Sequence, residues 1–143
     1  MSEKLKVLFL CVGNSCRSQM AEGWAKKLKS GSLEAFSAGL EARGLNPRAV
    51  KVMAEAGVDI SGHRSKTVAD LKDMSFDYVV TVCGGGHESC PVFPGKTKVI
   101  HAGFDDPPTL AETAKNEDEA LSHFRRVRDE IKEFVQRIEE HLL

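Results

Sequence analysis

Little in this chain runs to an extreme, and each shortage excludes something. Long apolar runs are missing. The one early run, Val7 to Val12, falls far short of the roughly 20 residues of a membrane helix. No small-residue cleavage site follows it, so it does not read as a signal peptide, and a cytoplasmic protein is expected. An excess of either charge is missing too. Lys and Arg number 20 against 21 Asp and Glu, a net charge of −1. Nothing in the whole-molecule charge therefore points to nucleic acid or to a membrane surface. Internal repeats, linkers and low-complexity tracts are absent, so residues 1–143 are expected to form a single domain and a monomer. That length supports a core without disulfide or metal staples. Cysteine is scarce as well, at four residues: Cys11, Cys16, Cys83 and Cys90. In a reducing compartment, cysteines are more often catalytic, metal-binding or simply buried than structurally paired.

What is present concentrates in one stretch. The run from Val7 to Leu10 stops at Cys11, and a loop of small and polar residues leads to Arg17-Ser18 and a helical pattern. Loop amides at a helix N-terminus, with an arginine fork beside them, form a cradle for a tetrahedral oxyanion. The expected oxyanion-binding residues are Val12, Gly13, Asn14, Ser15, Cys16, Arg17 and Ser18. A free cysteine of pKa about 8.5 is only a few per cent thiolate near neutrality, so a nucleophilic Cys11 needs activation. The loop amides and the Ser18 hydroxyl can supply it. Arg17 suits two oxygens at once, which the point charge of a lysine does not. Cys-x5-Arg is a weak pattern alone; its strand–loop–helix setting makes it stronger.

The rest of the chain alternates strand and helix patterns. Strands are expected over Lys4 to Leu10, Leu33 to Ser37, Phe76 to Val82 and Thr97 to Ile100. Helices are expected from Ser18 to Lys29, after the cap Asn46-Pro47, after a second cap at Ser65, and from Glu117 to Leu142. Such alternation implies right-handed crossovers and a parallel sheet of about four strands. In open sheets of this kind the ligand site lies at the carboxyl ends of the strands. Cys11, Cys83 and Asp106 each follow a different strand and so meet at one edge.

The segment Cys83-Gly84-Gly85-Gly86-His87-Glu88-Ser89-Cys90 has a mechanical reading. In a helix, two cysteines seven apart would sit roughly 10 Å apart along the axis. A disulfide needs Cα atoms within about 4.4–6.8 Å, so a helical form must unwind to close one. Three glycines make such rearrangement cheap, and the segment reads as a redox pair on a mobile loop. A plain glycine-rich loop is the alternative. A zinc site with His87 is disfavoured, because Cys-x6-Cys is not a usual zinc spacing.

The stretch from Cys11 to Gly23 resembles the anion loop of the low-molecular-weight protein tyrosine phosphatases. It is more similar still to the thioredoxin-coupled arsenate reductases that share their fold. The likeness extends to Phe36-Ser37-Ala38-Gly39, Asp59-Ile60-Ser61, Gly103-Phe104-Asp105-Asp106-Pro107 and Arg126-Val127-Arg128-Asp129-Glu130-Ile131. It implies a three-layer α/β sandwich with a four-stranded parallel sheet, and reduction of arsenate to arsenite. In that scheme Cys11 attacks arsenate, Cys83 attacks Cys11, and Cys90 attacks Cys83, leaving a Cys83–Cys90 disulfide for thioredoxin. No metal or organic cofactor is required.

The resemblance also makes Asp106 the general acid. Asp105 beside it could raise its pKa by like-charge repulsion. A phosphatase acting on phosphate monoesters is the second reading, weakened because Pro108 stands where phosphatases carry an aromatic residue; Ala102 stands where close reductases carry a tryptophan. A non-enzymatic redox sensor is the third. Cys16 is expected to be a packed bystander. Some reductases bind potassium through positions matching Asn14, Glu22 and Lys66; the Lys66 ammonium is expected to replace that ion by pairing with Glu22, with a solvated lysine as the plain alternative.

Overall fold

A computed structural model describes residues 4–83 and 97–142. Strand β1 (Leu5–Cys11) lies inside a four-stranded parallel sheet, between β2 (Leu33–Gly39) and β3 (Tyr78–Thr81), with β4 (Lys98–His101) outside β3. The helices are α1 (Arg17–Leu28), α2 (Pro47–Glu55), α3 (Pro107–Ala111) and α4 (Glu117–Gln136), with short 3-10 turns at Val68–Leu71 and Ile138–Glu140. No helix among the described residues is long and apolar enough to cross a membrane.

Strand β1 is continuously apolar because both of its faces are covered. Val7, Phe9 and Cys11 face a core shared with Met20 and Trp24 of α1, Met53 of α2 and Phe124 and Ile131 of α4. Leu8 and Leu10 face the other way, onto Phe76 and Val79, with Val68, Leu71 and Met74 packed at the margin. Three layers result, the third of them thin among the described residues. Each fully buried Leu, Val or Phe side chain is worth about 1.5–3 kcal/mol. The sheet centre, where Val7 to Leu10 are all buried, is therefore the firmest part of the fold.

Several boundaries differ from the sequence expectation for physical reasons. The 3-10 turn is capped by Thr67 rather than Ser65. The Thr67 side chain accepts from Asp70 N and the Asp70 carboxylate accepts from Thr67 N. The Ser65 hydroxyl donates instead to the Asn14 carbonyl, at 2.9 Å. Strand β3 is shorter than Phe76 to Val82, although Asp77 N and Val82 N still bond to Lys6 O and Leu10 O of β1. A short helix that the strand and helix pattern did not include, α3, opens with Pro107 as its first residue.

Candidate active site

The loop between β1 and α1 is shaped by what its carbonyls do. Val12 O accepts from Glu41 N at 3.0 Å, Gly13 O from Arg43 N at 3.0 Å, and Ser15 O from Asn46 N at 2.9 Å. Asn14 O accepts from the Ser65 hydroxyl and from Gln19 Nε2. In a planar trans peptide the N–H points opposite to the C=O. Four successive carbonyls turned outward therefore present the amides of Gly13, Asn14, Ser15 and Cys16 to the inside. Helix α1 adds its own first amides, and its N-cap residue Cys16 makes no side-chain capping bond. The loop is thus a concave row of donors at the positive end of a helix.

Asn14 is the hinge of this curve. It is buried and has φ 47°, the single positive φ outside glycine among the described residues. That conformation disfavours most side chains, and asparagine tolerates it best. The side chain is fully engaged: Oδ1 accepts from Lys66 N at 2.7 Å and from Gln19 Nε2 at 3.0 Å, while Nδ2 donates to Ser18 Oγ at 2.8 Å. Ser18 accepts there and so keeps its own proton to donate. Behind the loop, Gly39 ends β2 with no room for a side chain. A Cβ on it would lie 2.7 Å from both Asn14 N and Val12 O.

A cleft of about 610 Å³ opens over this loop, with Cys11, Val12, Gly13, Ser15, Cys16 and Arg17 on its floor. Asn14 and Ser18 do not line it; they are the scaffold beneath. Arg17 is buried, donates from Nη1 to Phe104 O at 3.0 Å, and pairs through Nη2 with Asp106 Oδ1 at 3.4 Å. The Thr109 hydroxyl donates to the other Asp106 oxygen at 2.6 Å. Asp105 also borders the cleft, but its carboxylate pairs with Arg126 of α4 at 3.1 Å. Its charge is met by that guanidinium, which opposes the expected repulsion of Asp106.

Cys11 and Cys16 are both buried. Burial pushes the Cys16 thiol well up; Asp106 adds to this, Arg17 opposes it, and Cys11 adds a further upward push. Cys16 is therefore held as a packed thiol. Cys83 does not line the cleft. It is fully buried just beyond β3, is disulfide-bonded, and has Sγ 3.9 Å from Leu10 O. Since β1 and β3 are neighbours paired through Leu10 and Thr81, Cys83 follows closely on the strand beside the one that ends in Cys11. Cys90, and the expected mobility of its loop, lie outside the described residues.

Lys66 does not pair with Glu22. Its ammonium donates to Arg64 O at 2.8 Å, while Glu22 pairs with Lys26 at 2.5 Å and accepts from Ser37 Oγ. Helical spacing makes Lys26 the nearer partner, four residues along α1. Glu22 still acts on Lys66 through space, opposing the downward pull of burial on its pKa. His63 completes this cluster, with Nδ1 3.0 Å from Gln19 Oε1 and Nε2 4.0 Å from Glu22. Gln19 uses its amide nitrogen as donor to Asn14 and Arg64, so Oε1 is an acceptor and His63 Nδ1 carries the proton. The contact between His63 and Gln19 was missed in the sequence, as was Arg43 on the cleft wall.

Sheet topology and loop together define an α/β protein with a concave row of backbone donors beside a cysteine at the end of an inner strand. The sequence profile of the low molecular weight phosphotyrosine protein phosphatases matches residues 6–142, and the chain belongs to that family. An arsenate reductase of Bacillus licheniformis is 49% identical over 140 residues, covering 98% of this chain and 98% of the relative. A solved arsenate reductase in its phosphate-binding state superimposes with a TM-score of 0.78 at 34% identity, covering 99% of this chain and 100% of that one. A thioredoxin-dependent arsenate reductase of Corynebacterium glutamicum gives a TM-score of 0.65 at 28% identity, over 98% of this chain and 64% of that one.

Proposed function

We propose that this protein reduces arsenate to arsenite, with thioredoxin as electron donor. The observation that carries the reading is the placement of Cys83, buried beyond the strand next to the one that ends in Cys11. Hydrolysis of a phosphate ester needs no second thiol there; reduction does.

Cys11 is the nucleophile. Its thiolate attacks the arsenic of arsenate, an S–As bond forms, and an arsenate oxygen leaves as water. The loop amides and Arg17 hold the remaining oxygens. An oxyanion in the loop competes with Asp106 for Arg17. Asp106 is then left beside the departing oxygen, where it acts as general acid. The Cys83 thiolate next attacks Cys11 Sγ. The electron pair of the S–As bond passes to arsenic, arsenite departs, and a Cys11–Cys83 disulfide remains. Cys90 attacks Cys83 and returns Cys11 as thiolate, and a thioredoxin dithiol reduces the Cys83–Cys90 bond. We place this chemistry in the cytoplasm, on a single-domain monomer that uses no metal.

Arsenate-dependent NADPH oxidation, coupled through thioredoxin and its reductase, tests the scheme. Cys11→Ser, Cys83→Ser and Cys90→Ser should each abolish steady turnover, and Cys90→Ser should leave hydrolysis of an aryl phosphate nearly intact. Full arsenate turnover by any of the three overturns the relay. A phosphatase would show ester hydrolysis without arsenate turnover, and a redox sensor would show neither.

A further inference from the structure

We infer that Arg43 is a second oxyanion-binding residue, a cation at the cleft mouth that selects for a compact dianion. The inference rests on the loop being an oxyanion site and adds a residue to it. Arg17 and Arg43 are the two cationic side chains that line the cleft among the described residues, against Asp105 and Asp106. Arg17 already faces Asp106, and Asp105 faces Arg126. A dianion arriving beside a Cys11 thiolate brings two more negative charges to a floor with one guanidinium. Arg43 is the remaining cation within the cleft walls to balance them.

Its backbone is fixed for this position, because Arg43 N donates to Gly13 O at 3.0 Å. Its stem lies flat across Gly13, where a Cβ would come within 2.7 Å of Arg43 Cδ. Glycine at position 13 is thus what lets the arginine lie against the anion loop. Among the described residues the guanidinium is held by Glu41 alone, at 2.7 Å, in a pair whose side chains are 57% and 62% exposed. An exposed pair of this kind is weak and easily exchanged for a better anion. Arg43 therefore swings from Glu41 to the bound oxyanion at little cost.

Calorimetric titration with inorganic phosphate at low and raised salt provides the test. Arg43→Gln keeps the three carbons that rest on Gly13 but removes the charge. It should weaken phosphate binding about five- to tenfold at low ionic strength, and the gap should narrow as salt rises. Arg43→Lys should recover most of the affinity, and Glu41→Gln should tighten binding two- to threefold, by releasing Arg43. Wild-type affinity in Arg43→Gln, or a loss that salt does not change, overturns the inference. So does the absence of phosphate binding by the wild type. Arsenate turnover, measured separately on the wild type, reports on the proposed function independently of these affinities.

Discussion

Asn14 and Gly39 depend on each other. The left-handed turn at Asn14 brings its backbone nitrogen down onto the end of β2, and only a residue without a side chain leaves room there. Overpacking of this kind costs about 1–3 kcal/mol, and here the obstructing atoms are backbone on every side. Gly39→Ala should therefore lose about that much stability in urea melts and bind phosphate more weakly. A variant unchanged in both would show that the loop is softer than its hydrogen bonding indicates. This contact was hidden in the sequence. Gly13 and Asn14 read as loop formers from residue type alone, whereas the need for Gly39 arises from a β1–β2 register that no single segment contains. Arg43 was hidden for the same reason: an exposed arginine far along the chain has no local mark of lying in a cleft.

At the scale of elements, α4 fixes the wall opposite the anion loop. Phe134 meets Phe104 edge to face, with centroids 6.0 Å apart, and Arg126 bridges Asp105 and Glu130. Asp106, next in the chain, is held on one side by Arg17 and Thr109 and on the other by this anchorage. Arg126→Met should lower kcat about two- to fivefold while changing the KM for arsenate little, because the acid is less well placed but the loop is intact. Arg126→Lys should recover part of the loss; an equal fall in Arg126→Lys and Arg126→Met would show that charge on α4 is irrelevant. The amphipathic pattern from Ala120 to Leu142 made α4 plain in the sequence, although the helix stops at Gln136 and Ile138–Glu140 tightens into a 3-10 turn. Its bridge to Asp105 was not, since an exposed Arg–Asp pair has no periodic signature. The Thr67-x-x-Asp70 capping box was written in the sequence all along, and Ser65 was the wrong choice because a tertiary acceptor, Asn14 O, claimed its hydroxyl.

At the scale of the whole molecule, the buried cluster behind the loop makes stability depend on pH. Burial lowers the pKa of His63 below its ordinary 6.5; Glu22 opposes this, and Lys26 and Lys66 reinforce it. The unfolded chain therefore takes up this proton first as pH falls through about 6.5. Native stability declines from that point, and the contribution is fully lost once pH passes below the folded-state pKa. Urea midpoints at pH 8 and pH 5.5 should drop more in the wild type than in His63→Asn. Equal drops would remove His63 as the cause. A parallel sheet of four strands was legible from strand alternation, whereas the order β2-β1-β3-β4 and the absence of Cys83 from the cleft lining came from the structure. Of the cluster, resemblance brought Glu22 and Lys66 together, but the Lys26–Glu22 pair and the contact of His63 with Gln19 arise only in the packed fold.

The outward carbonyls of the anion loop have one more consequence. Their donors are the amides of Glu41, Arg43 and Asn46, with Ser65 and Gln19 closing the ring. The loop is therefore the knot at which otherwise separate lengths of chain are tied. An oxyanion that tightens the knot slows solvent exchange at amides that never touch it, and it stabilises the native state by mass action. Site occupancy is thereby written into the rigidity of the segment from Glu41 to Asn46.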